Sequence, residues 1–443
     1  MKKDTVISEP TIIPRDAHNV SRQHISQGAL DVLYDLGRAG YEAYLVGGGV
    51  RDLLAGLQPK DFDVATDASP EQVKEVFRRA RLIGRRFRLA HVRAGGEIIE
   101  VATFRAQPRS PEEGEALVED DGEDHDHLLD EGGRILRDNV YGTLEDDAFR
   151  RDFTINALYY RVTDFSVVDY VGGMADMAAR QMRLIGDPDT RYREDPVRML
   201  RAVRIANKLG FGIEPATAAP IRELAPLLTD VPSARLFDEV LKLFLSAQAE
   251  KNFDDLVDYG LFQQLFPRTG ACLERPGVET LIRGALQGTA QRVLEDKPVT
   301  PAFLYAALLW PVVRQDMEPA LAEGQSLAQA IPTFSGDVVT EQVETVAIPR
   351  RFSTPMREIW ALQPRFYRRN GRRPERLAAH PRFRAAYDFL LLRTAAGEED
   401  PELAQWWTEY QEGQAPTPPT SSDRPKRRRR RRRRRPAADS ASE

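Results

Sequence analysis

The sequence predicts an α+β protein with its strands early in the chain, its helices later, and an unfolded basic end. Short apolar runs of β type occur at Ala43–Val50, Asp61–Thr66 and Glu97–Arg105. From about residue 196 onwards the apolar residues recur at helical spacing instead. The end of the chain is rich in Pro, Ser, Thr and Arg, a composition that cannot form a packed core.

Size and composition narrow the class of protein. The chain has 443 residues, of which 42% are hydrophobic, so we expect two to four domains. The longest apolar run, Phe303–Val313, is too short to span a bilayer and contains a proline, which predicts no transmembrane segment. Cys272 is the single cysteine, which excludes an intrachain disulfide and a thiolate metal cluster. With no apolar stretch of signal-peptide length at its start, the chain is expected to be cytoplasmic.

The first β-type run ends in three consecutive glycines. Gly47, Gly48 and Gly49 interrupt the apolar run, and helical spacing follows at once, so the pattern predicts a strand, a tight turn and a helix. Such a turn allows backbone N–H groups to approach an anion closely, and the guanidinium of Arg51 can add charged contacts. The pattern therefore indicates a phosphate site, although glycine turns are common in proteins without one.

Two aspartates lie in the next predicted strand. Side chains alternate along a strand, so Phe62 and Val64 share one face while Asp61 and Asp63 share the other. Two carboxylates so close repel each other, and a divalent cation removes that conflict. Oxygen ligands of this kind suit Mg²⁺, which also accepts phosphate oxygens. The alternative is a solvated strand face.

A third carboxylate would allow two metal ions to be held. Glu100 lies in the β-type run Glu97–Arg105, and Asp152 follows Arg150 and Arg151 at the start of another apolar segment. The triplet 150–152 combines an oxygen ligand with two cations that suit phosphate. The choice between Glu100 and Asp152 stays open here, and a surface ion-pair cluster is the alternative for the triplet.

A basic stripe is predicted on the helix at about 196–209. Asp195 suits the N-cap, Pro196 the first helical position, and Gly210 the stop. At about 100° per residue, one side of this helix carries a set of cations within an arc of roughly 120°: Arg198, Arg201, Arg204 and Lys208. A solvated helix face is the alternative.

Charge is divided unevenly along the chain. The net charge is -5, but Arg424–Glu443 holds eleven Lys/Arg against two Asp/Glu, so the preceding residues carry -14. The arginine run is expected to be a mobile polycation. A second unfolded candidate, Glu112–Glu131, has eleven acidic residues and no Lys or Arg. We interpret it as a solvated acidic loop between two strands, rather than a metal site at His125 and His127.

Taken in order, these motifs resemble the class II nucleotidyltransferases of the polymerase-beta superfamily, which comprise bacterial poly(A) polymerases and tRNA CCA-adding enzymes. The resemblance implies a polymerase-beta-like nucleotidyltransferase head with a mixed sheet, followed by an all-helical neck, body and C-terminal segments. It gives an N-terminal arm at 1–30, a catalytic head at 31–172 with an acidic insert at 110–133, a neck at 173–248, a body with an RNA-binding C-terminal region at 249–411, and a disordered Arg-rich tail at 412–443.

The resemblance also implies roles for single residues. Three aspartates would be catalytic, of which the first two would bind the metal ions: Asp61, Asp63 and Asp152. The triphosphate would contact the glycine turn and two arginines: Gly47, Gly48, Arg51 and Arg151. The edge of the incoming base would meet two residues of the neck: Asp195 and Arg198.

The resemblance favours RNA polyadenylation, in which AMP passes from ATP to an RNA 3'-hydroxyl in a Mg²⁺-dependent reaction. The segment Leu82–Val92 and the arginine-rich tail are both similar to those of the poly(A) polymerases. The alternatives are CCA addition and, from another class, a catalytically silent RNA-binding protein. RNA 3' ends and ATP are the expected partners, and RNA-decay machinery is a further candidate. The tail would bind RNA through residues such as Arg427, Arg428, Arg429 and Arg430, or make peripheral contact with a membrane.

Overall fold

The computed structural model describes residues 9–84, 88–106, 127–129, 135–138 and 140–413. Arg427 to Arg430 and the rest of the basic tail lie outside the described residues, as does nearly all of the predicted insert at 110–133. Within that insert, the strand His127–Leu129 pairs antiparallel with Ile135–Asp138. Part of the segment predicted as an acidic loop is therefore β structure.

One mixed sheet forms the centre of the head. Among the described residues it has eight strands, in the order β1-β10-β9-β2-β3-β6-β5-β4. The pair β3 and β6 is parallel and the other pairs are antiparallel, which confirms the predicted mixed sheet. The strands are β1 Thr11–Ile13, β2 Ala43–Val46, β3 Asp63–Thr66, β4 Arg81–Ile83, β5 Leu89–Ala94, β6 Glu97–Thr103, β9 Leu158–Arg161 and β10 Val167–Asp169, with β7 and β8 being the separate pair His127–Leu129 and Ile135–Asp138.

Helices cover both faces of this sheet. The helix α1 (Gln27–Arg38) buries Val32, Leu33 and Leu36 against one face, together with α3 (Pro70–Val76). On the other face, α4 (Leu144–Arg150) buries Leu144 and Ala148 beside Tyr159 of β9. The alternation along β3 is the predicted one, since Val64 packs into the first of these cores and Ala65 into the second.

The first thirty residues, predicted to be a separate arm, are packed into the head from residue 11 onwards. Thr11–Ile13 is an edge strand paired with Val167–Asp169. Val20 and Ile25 are buried in the same core as α1. The pairing partner lies more than 150 residues away in sequence, so local patterns could not indicate it.

The remainder of the described chain is helical, as predicted, apart from a short parallel pair of strands, β11 (Gln181–Met182) and β12 (Gly212–Ile213). Its helices are α5 Gly173–Ala179, α6 Pro188–Glu194, α7 Val197–Leu209, α8 Pro215–Ala218, α9 Ile221–Leu224, α10 Ser233–Phe244, α11 Ala249–Asp258, α12 Leu261–Leu265, α13 Pro267–Cys272, α14 Val278–Leu294, α15 Pro301–Ala322, α16 Leu327–Thr345, α17 Arg350–Phe366, α18 Arg373–Ala378, α19 Phe383–Ala395 and α20 Pro401–Glu412. In the described ranges, none of these helices has the length and hydropathy that crossing a membrane requires.

The helical part is built on one large core and one small one. The large core is one contiguous cluster of buried side chains that come from positions between Phe153 and Phe389, so the proposed neck and body share it. The small core surrounds Trp407 and joins α17, α19 and α20. The domain boundaries drawn from sequence stay a proposal, because the packing is continuous across residue 248.

Candidate active site

The glycine turn lies between β2 and a short helix, α2 (Gly48–Leu54). Gly47 has a φ of 71°, a conformation that residues with a side chain rarely adopt. A Cβ at this position would lie 3.7 Å from Nη1 of Arg151 and 3.8 Å from Oδ2 of Asp63. The turn therefore brings a backbone without a side chain next to Arg151 and Asp63, which the sequence motifs assign to the same site.

The aspartate pair faces the same cleft as the turn. Asp63 begins β3 and lies opposite Val46 of β2 on one side and Glu100 of β6 on the other. Asp61 precedes the strand and is exposed. Within the described part of the chain, neither carboxylate makes a hydrogen bond or ion pair. Burial raises the pKa of Asp63 to about 6, and the neighbouring charges of Glu100 and Asp61 add to this effect.

Arg151 is held so that one end of its guanidinium faces the turn. Its Nε donates to the Tyr159 hydroxyl at 2.8 Å, and its Nη2 donates to Oδ2 of Asp147 at 2.8 Å. Burial opposes the charge, but Asp147 and Tyr159 hold the pKa of Arg151 well above its ordinary value. The remaining nitrogen, Nη1, is the atom nearest to Gly47, where a phosphate would lie.

Asp152 is fully engaged by protein donors. Oδ2 accepts from Nε and Nη2 of Arg201 at 2.8 and 2.5 Å, and Oδ1 accepts from the side chain of Asn156 and the backbone N–H of Phe153, both at 2.9 Å. Burial alone would raise the pKa of Asp152, but these donors hold it far below the ordinary value. In this arrangement Asp152 has no oxygen to spare for a metal ion.

Glu100, the other candidate for the third carboxylate, lies on the same face of the sheet as Asp63. Its side chain is half exposed and lies 3.3 Å from the His91 ring. The register of the parallel pair places it directly beside Asp63. Strand register thus places Glu100 next to Asp63, whereas Asp152 is paired with Arg201.

Arg51 has different partners from those predicted. Its side chain is buried, donates from Nε and Nη2 to Asp52 at 2.9 and 2.7 Å, and donates from Nη1 to Asn156 at 2.7 Å. Lys208 of α7 donates to the second oxygen of Asp52 at 2.5 Å. A direct contact between Arg51 and a triphosphate would require these bonds to break.

These bonds close a ring between the head and the neck helix α7. It starts at Lys208, passes through Asp52, Arg51, Asn156 and Asp152, and returns to α7 at Arg201. Arg201 and Lys208 are seven residues, or about two helical turns, apart on one face of α7. We call this set of six residues the head–neck ring. The sequence motifs include most of its members but indicate no role for Asp52 or Asn156.

Asp195 and Arg198, the predicted base-edge pair, occupy structural positions and do not line the cleft. Asp195 follows α6 and accepts from both terminal nitrogens of Arg235 at 2.8 and 2.7 Å. It also accepts from the backbone N–H of Val197 at 3.3 Å, so it caps α7 from one position further back than expected. Arg198 is buried and donates to Glu194 and to the backbone carbonyl of Arg191.

The cleft that these elements enclose is large enough for a nucleotide. Its volume is about 930 Å³, and its walls come from the head and from α7 and α10. Seven predicted site residues line it: Gly47, Gly48, Arg51, Asp61, Asp63, Arg151 and Asp152. Lys60, Arg204, Lys208 and Lys242 also line it, which gives the walls the positive charge that a polyphosphate requires.

The aspartate pair fits a divalent cation. Its two carboxylates face one cleft and make no ion pair with any described residue, and burial, followed by the charges of Glu100 and Asp61, raises the pKa of Asp63 although Arg151 opposes this. No cluster of three or more acidic, His or Cys side chains suited to a metal ion occurs among the described residues. A cation held by two carboxylates alone would take its further ligands from water and substrate phosphates, as Mg²⁺ commonly does.

The fold is shared with solved nucleotidyltransferases. The Thermotoga maritima CCA-adding enzyme complexed with tRNA matches with a TM-score of 0.59 at 18% identity, over 90% of this chain and 85% of that one. A tRNA nucleotidyltransferase complexed with a primer tRNA and an incoming ATP analog matches with a TM-score of 0.56 at 20% identity, over 86% and 98%. At such identities these matches show the fold alone.

The chain belongs to the bacterial poly(A) polymerase I family. It is 50% identical over 412 residues to poly(A) polymerase I of Salmonella typhimurium, covering 92% of this chain and 87% of that protein. The Haemophilus influenzae protein is 46% identical over 91% and 88%. A CCA-adding enzyme of Lacticaseibacillus paracasei is 36% identical, but over only 53% and 54%.

Three family models match successive parts of the chain. Residues 43–183 match the poly A polymerase head domain, and residues 210–273 match the probable RNA- and SrmB-binding site of polymerase A. Residues 323–437 match the arginine-rich C-terminus of polymerase A. The family resemblance of the motifs is therefore confirmed along nearly the whole chain.

Proposed function

We propose that this protein is a divalent-metal-dependent poly(A) polymerase. It transfers AMP from ATP to an RNA 3'-hydroxyl and releases pyrophosphate, without a template. The observation that carries the proposal is the aspartate pair, Asp61 and Asp63, facing a nucleotide-sized cleft beside the glycine turn. The identity to poly(A) polymerase I over most of the chain supports adenylate addition.

Asp61 and Asp63 would hold the metal ion, which we propose to be Mg²⁺. When bound, it would supply Lewis-acid stabilisation of the charge that develops on the reacting phosphate and on the attacking oxygen. The two carboxylates would hold the ion at the start of β3, a strand that pairs with β2 on one side and β6 on the other. Glu100 is the register partner of Asp63 on β6, so it is the candidate for the third carboxylate that would help to hold a second metal ion.

The chain's own groups would position the triphosphate. The backbone at Gly47 and Gly48 gives close approach, and Nη1 of Arg151 faces the same space. Asp147 and Tyr159 fix Arg151, so its charge is in place before ATP binds and does not have to be oriented during the reaction. Asp152 would act by holding Arg201 at the wall of the cleft.

Base selection would fall to Asp195 and Arg198. For either residue to reach a base edge, it has to exchange its present partner, Arg235 or Glu194, for the nucleotide. For Asp195 this exchange gives up a two-bond ion pair with Arg235, so the base edge has to offer hydrogen bonds that replace it. Arg198→Ala should therefore harm the choice of ATP over CTP more than it harms triphosphate binding.

The arginine tail, including Arg427 to Arg430, would capture the RNA backbone and raise the concentration of 3' ends near the cleft. A cytoplasmic setting follows from the substrates, ATP and RNA 3' ends. RNA-decay machinery is a candidate partner, because an added A tract gives an exonuclease a single-stranded 3' end from which to start. Peripheral attachment of the tail to anionic lipids is the competing use of the same charge.

One incubation separates the candidate activities. The full chain is mixed with labelled ATP, a single-stranded RNA primer and Mg²⁺. We expect long A tracts on the primer, whereas a single A after a CC end would indicate CCA addition, and no product would indicate a silent RNA-binding protein. Asp61→Asn should abolish the product, while Asp31→Asn, at an exposed position on α1, is the matched control and should retain it.

A further inference from the structure

A surface of arginines lies on the C-terminal part of the chain, on the helices α17 and α18 and the turn between them. Residues 350–376 hold nine arginines and two glutamates, a net charge of +7 in a body that is otherwise acidic. All nine arginines are exposed. We call this set the basic surface: Arg350, Arg351, Arg357, Arg365, Arg368, Arg369, Arg372, Arg373 and Arg376.

The side chains of the basic surface differ from most other arginines of the helical body in having no acidic partner among the described residues. Within the described ranges, none of the nine makes an ion pair or a side-chain hydrogen bond. By contrast, Arg275 pairs with Glu318, and Arg283 pairs with both Asp254 and Glu279. An ordinary solvated helix face would mix charges of both signs, so this concentration of one sign points to an anionic ligand.

The arrangement on α17 is ordered along one face. Arg350, Arg351, Arg357 and Arg365 fall within an arc of about 120°, at about 100° per residue, and span about 22 Å along the axis. The opposite face is buried, including Ile359 and Trp360. The arginines are therefore a stripe along a helix whose opposite face is packed against the core, which suits a chain of regularly spaced phosphates.

An aromatic platform adjoins the basic surface at Arg369. Trp406 and Tyr410 of α20 are stacked, with ring centroids 5.2 Å apart and ring planes at 12°. Both rings are partly exposed, and the guanidinium of Arg369 lies 5.9 Å from the centroid of Trp406. Stacked aromatic rings next to arginines are the combination by which proteins hold single-stranded nucleic acid, since every base has a face that can stack.

We propose that the basic surface and the Trp406–Tyr410 platform bind single-stranded RNA upstream of the reacting 3' end. This proposal rests on the proposed function, for which it names a second RNA contact outside the cleft. RNA is favoured over a lipid headgroup because the platform offers two stacked rings beside the cations, whereas a lipid surface would use charge alone. The helix α20, which carries the platform, ends at Glu412, and the arginine-rich tail begins at Arg424, so the platform lies on the last described helix before the tail.

The test compares two triple variants of the full chain that remove the same charge. One lies on the basic surface, Arg357→Ala with Arg365→Ala and Arg369→Ala. The control removes three exposed cations from the acidic part of the body, Lys251→Ala with Arg292→Ala and Lys297→Ala. Binding of a fluorescent oligoadenylate is measured by anisotropy at several salt concentrations, without ATP, so that catalysis is not needed.

We expect the basic-surface triple to bind more weakly than the control. The slope of its log affinity against log salt should be shallower by about 2, at roughly 0.7 for each RNA phosphate that an arginine no longer neutralises. Trp406→Ala should weaken binding at least about fivefold because a base loses its stacking partner, and Trp406→Phe should restore most of it.

Equal affinity and slope in the two triples would overturn the proposal. So would a basic-surface triple that keeps RNA binding but no longer associates with vesicles containing phosphatidylglycerol. If the unmodified chain adds no AMP while the basic-surface triple still binds RNA more weakly than the control, the surface stands and the proposed reaction fails.

Discussion

Asp63→Asn is expected to stabilise the metal-free protein while abolishing its activity. The pKa of Asp63 is raised from an ordinary 3.8 to about 6, so the folded state binds this proton more tightly than the unfolded state does. For an acid with a raised pKa, stability falls as the pH rises from about 4 through about 6, and the cost of the charge is complete above that. Asparagine keeps the shape of the side chain and carries no charge.

The size of the effect follows from the shift. Two pKa units correspond to about 3 kcal/mol at 1.36 kcal/mol per unit, which is an upper figure, because water at the mouth of the cleft reduces it. We expect a gain of about 1 to 3 kcal/mol at pH 7.5 in EDTA, shrinking by roughly 1 kcal/mol at pH 5. Urea unfolding at the two pH values measures this difference directly.

Two comparisons make this result specific. Mg²⁺ should stabilise the unmodified chain and not Asp63→Asn, because a ligand stabilises only the state that binds it. Asp164→Asn is the control of opposite sign: hydrogen bonds from Arg161 and Ser166 outweigh burial and lower the pKa of Asp164 to about 2, so its loss should destabilise the protein at pH 7.5. An Asp63→Asn protein that is less stable than the unmodified chain at pH 7.5 in EDTA would refute the reasoning.

Four further perturbations test the remaining assignments. Asp152→Asn should lower AMP transfer severely and lower the melting temperature, since it leaves the Arg201 charge unpaired, whereas Glu100→Gln should lower transfer with little effect on melting. Asn156→Ala should reduce the rate at saturating ATP by about tenfold or more, and Asn156→Asp should not rescue it, because a second carboxylate there cannot donate to Asp152. Arg198→Ala should remove on the order of 1 to 3 kcal/mol of discrimination between ATP and CTP, as measured by the ratio of their kcat/KM values. Truncation after Asp423 should weaken RNA binding and its salt dependence while the rate at saturating primer is kept; an unchanged salt slope would exclude RNA capture by the tail.

Sequence patterns predicted the parts of the site that are local. Gly47 and Asp63 are found where turn chemistry and alternation place them, because a tight turn and a strand each depend on adjacent residues. Asp61 lies two residues before the strand that was predicted to include it. Contacts between distant segments could not be predicted in this way. Arg51 was expected at a phosphate, but its nearest acid is Asp52, and the ring is completed by Asn156, more than a hundred residues further on. In the same way, no local pattern indicates that Asp195 pairs with Arg235, forty residues away.

The head–neck ring explains why buried charge is retained beside a site that has to bind a polyanion. Buried ion pairs add little net stability, because desolvation offsets most of their attraction. Their contribution here is geometric. The segment that follows Arg151 enters the neck core through Phe153 and Ile155, and then returns to the head sheet at Leu158. The segment that follows Arg151 is thus anchored by packing into the neck core and by strand pairing in the head. Since this junction is anchored in both cores, we expect the exchange of partners at Asp195 and Arg198 on nucleotide binding to be a local movement of side chains between α6, α7 and α10, with the ring and the aspartate pair keeping their positions.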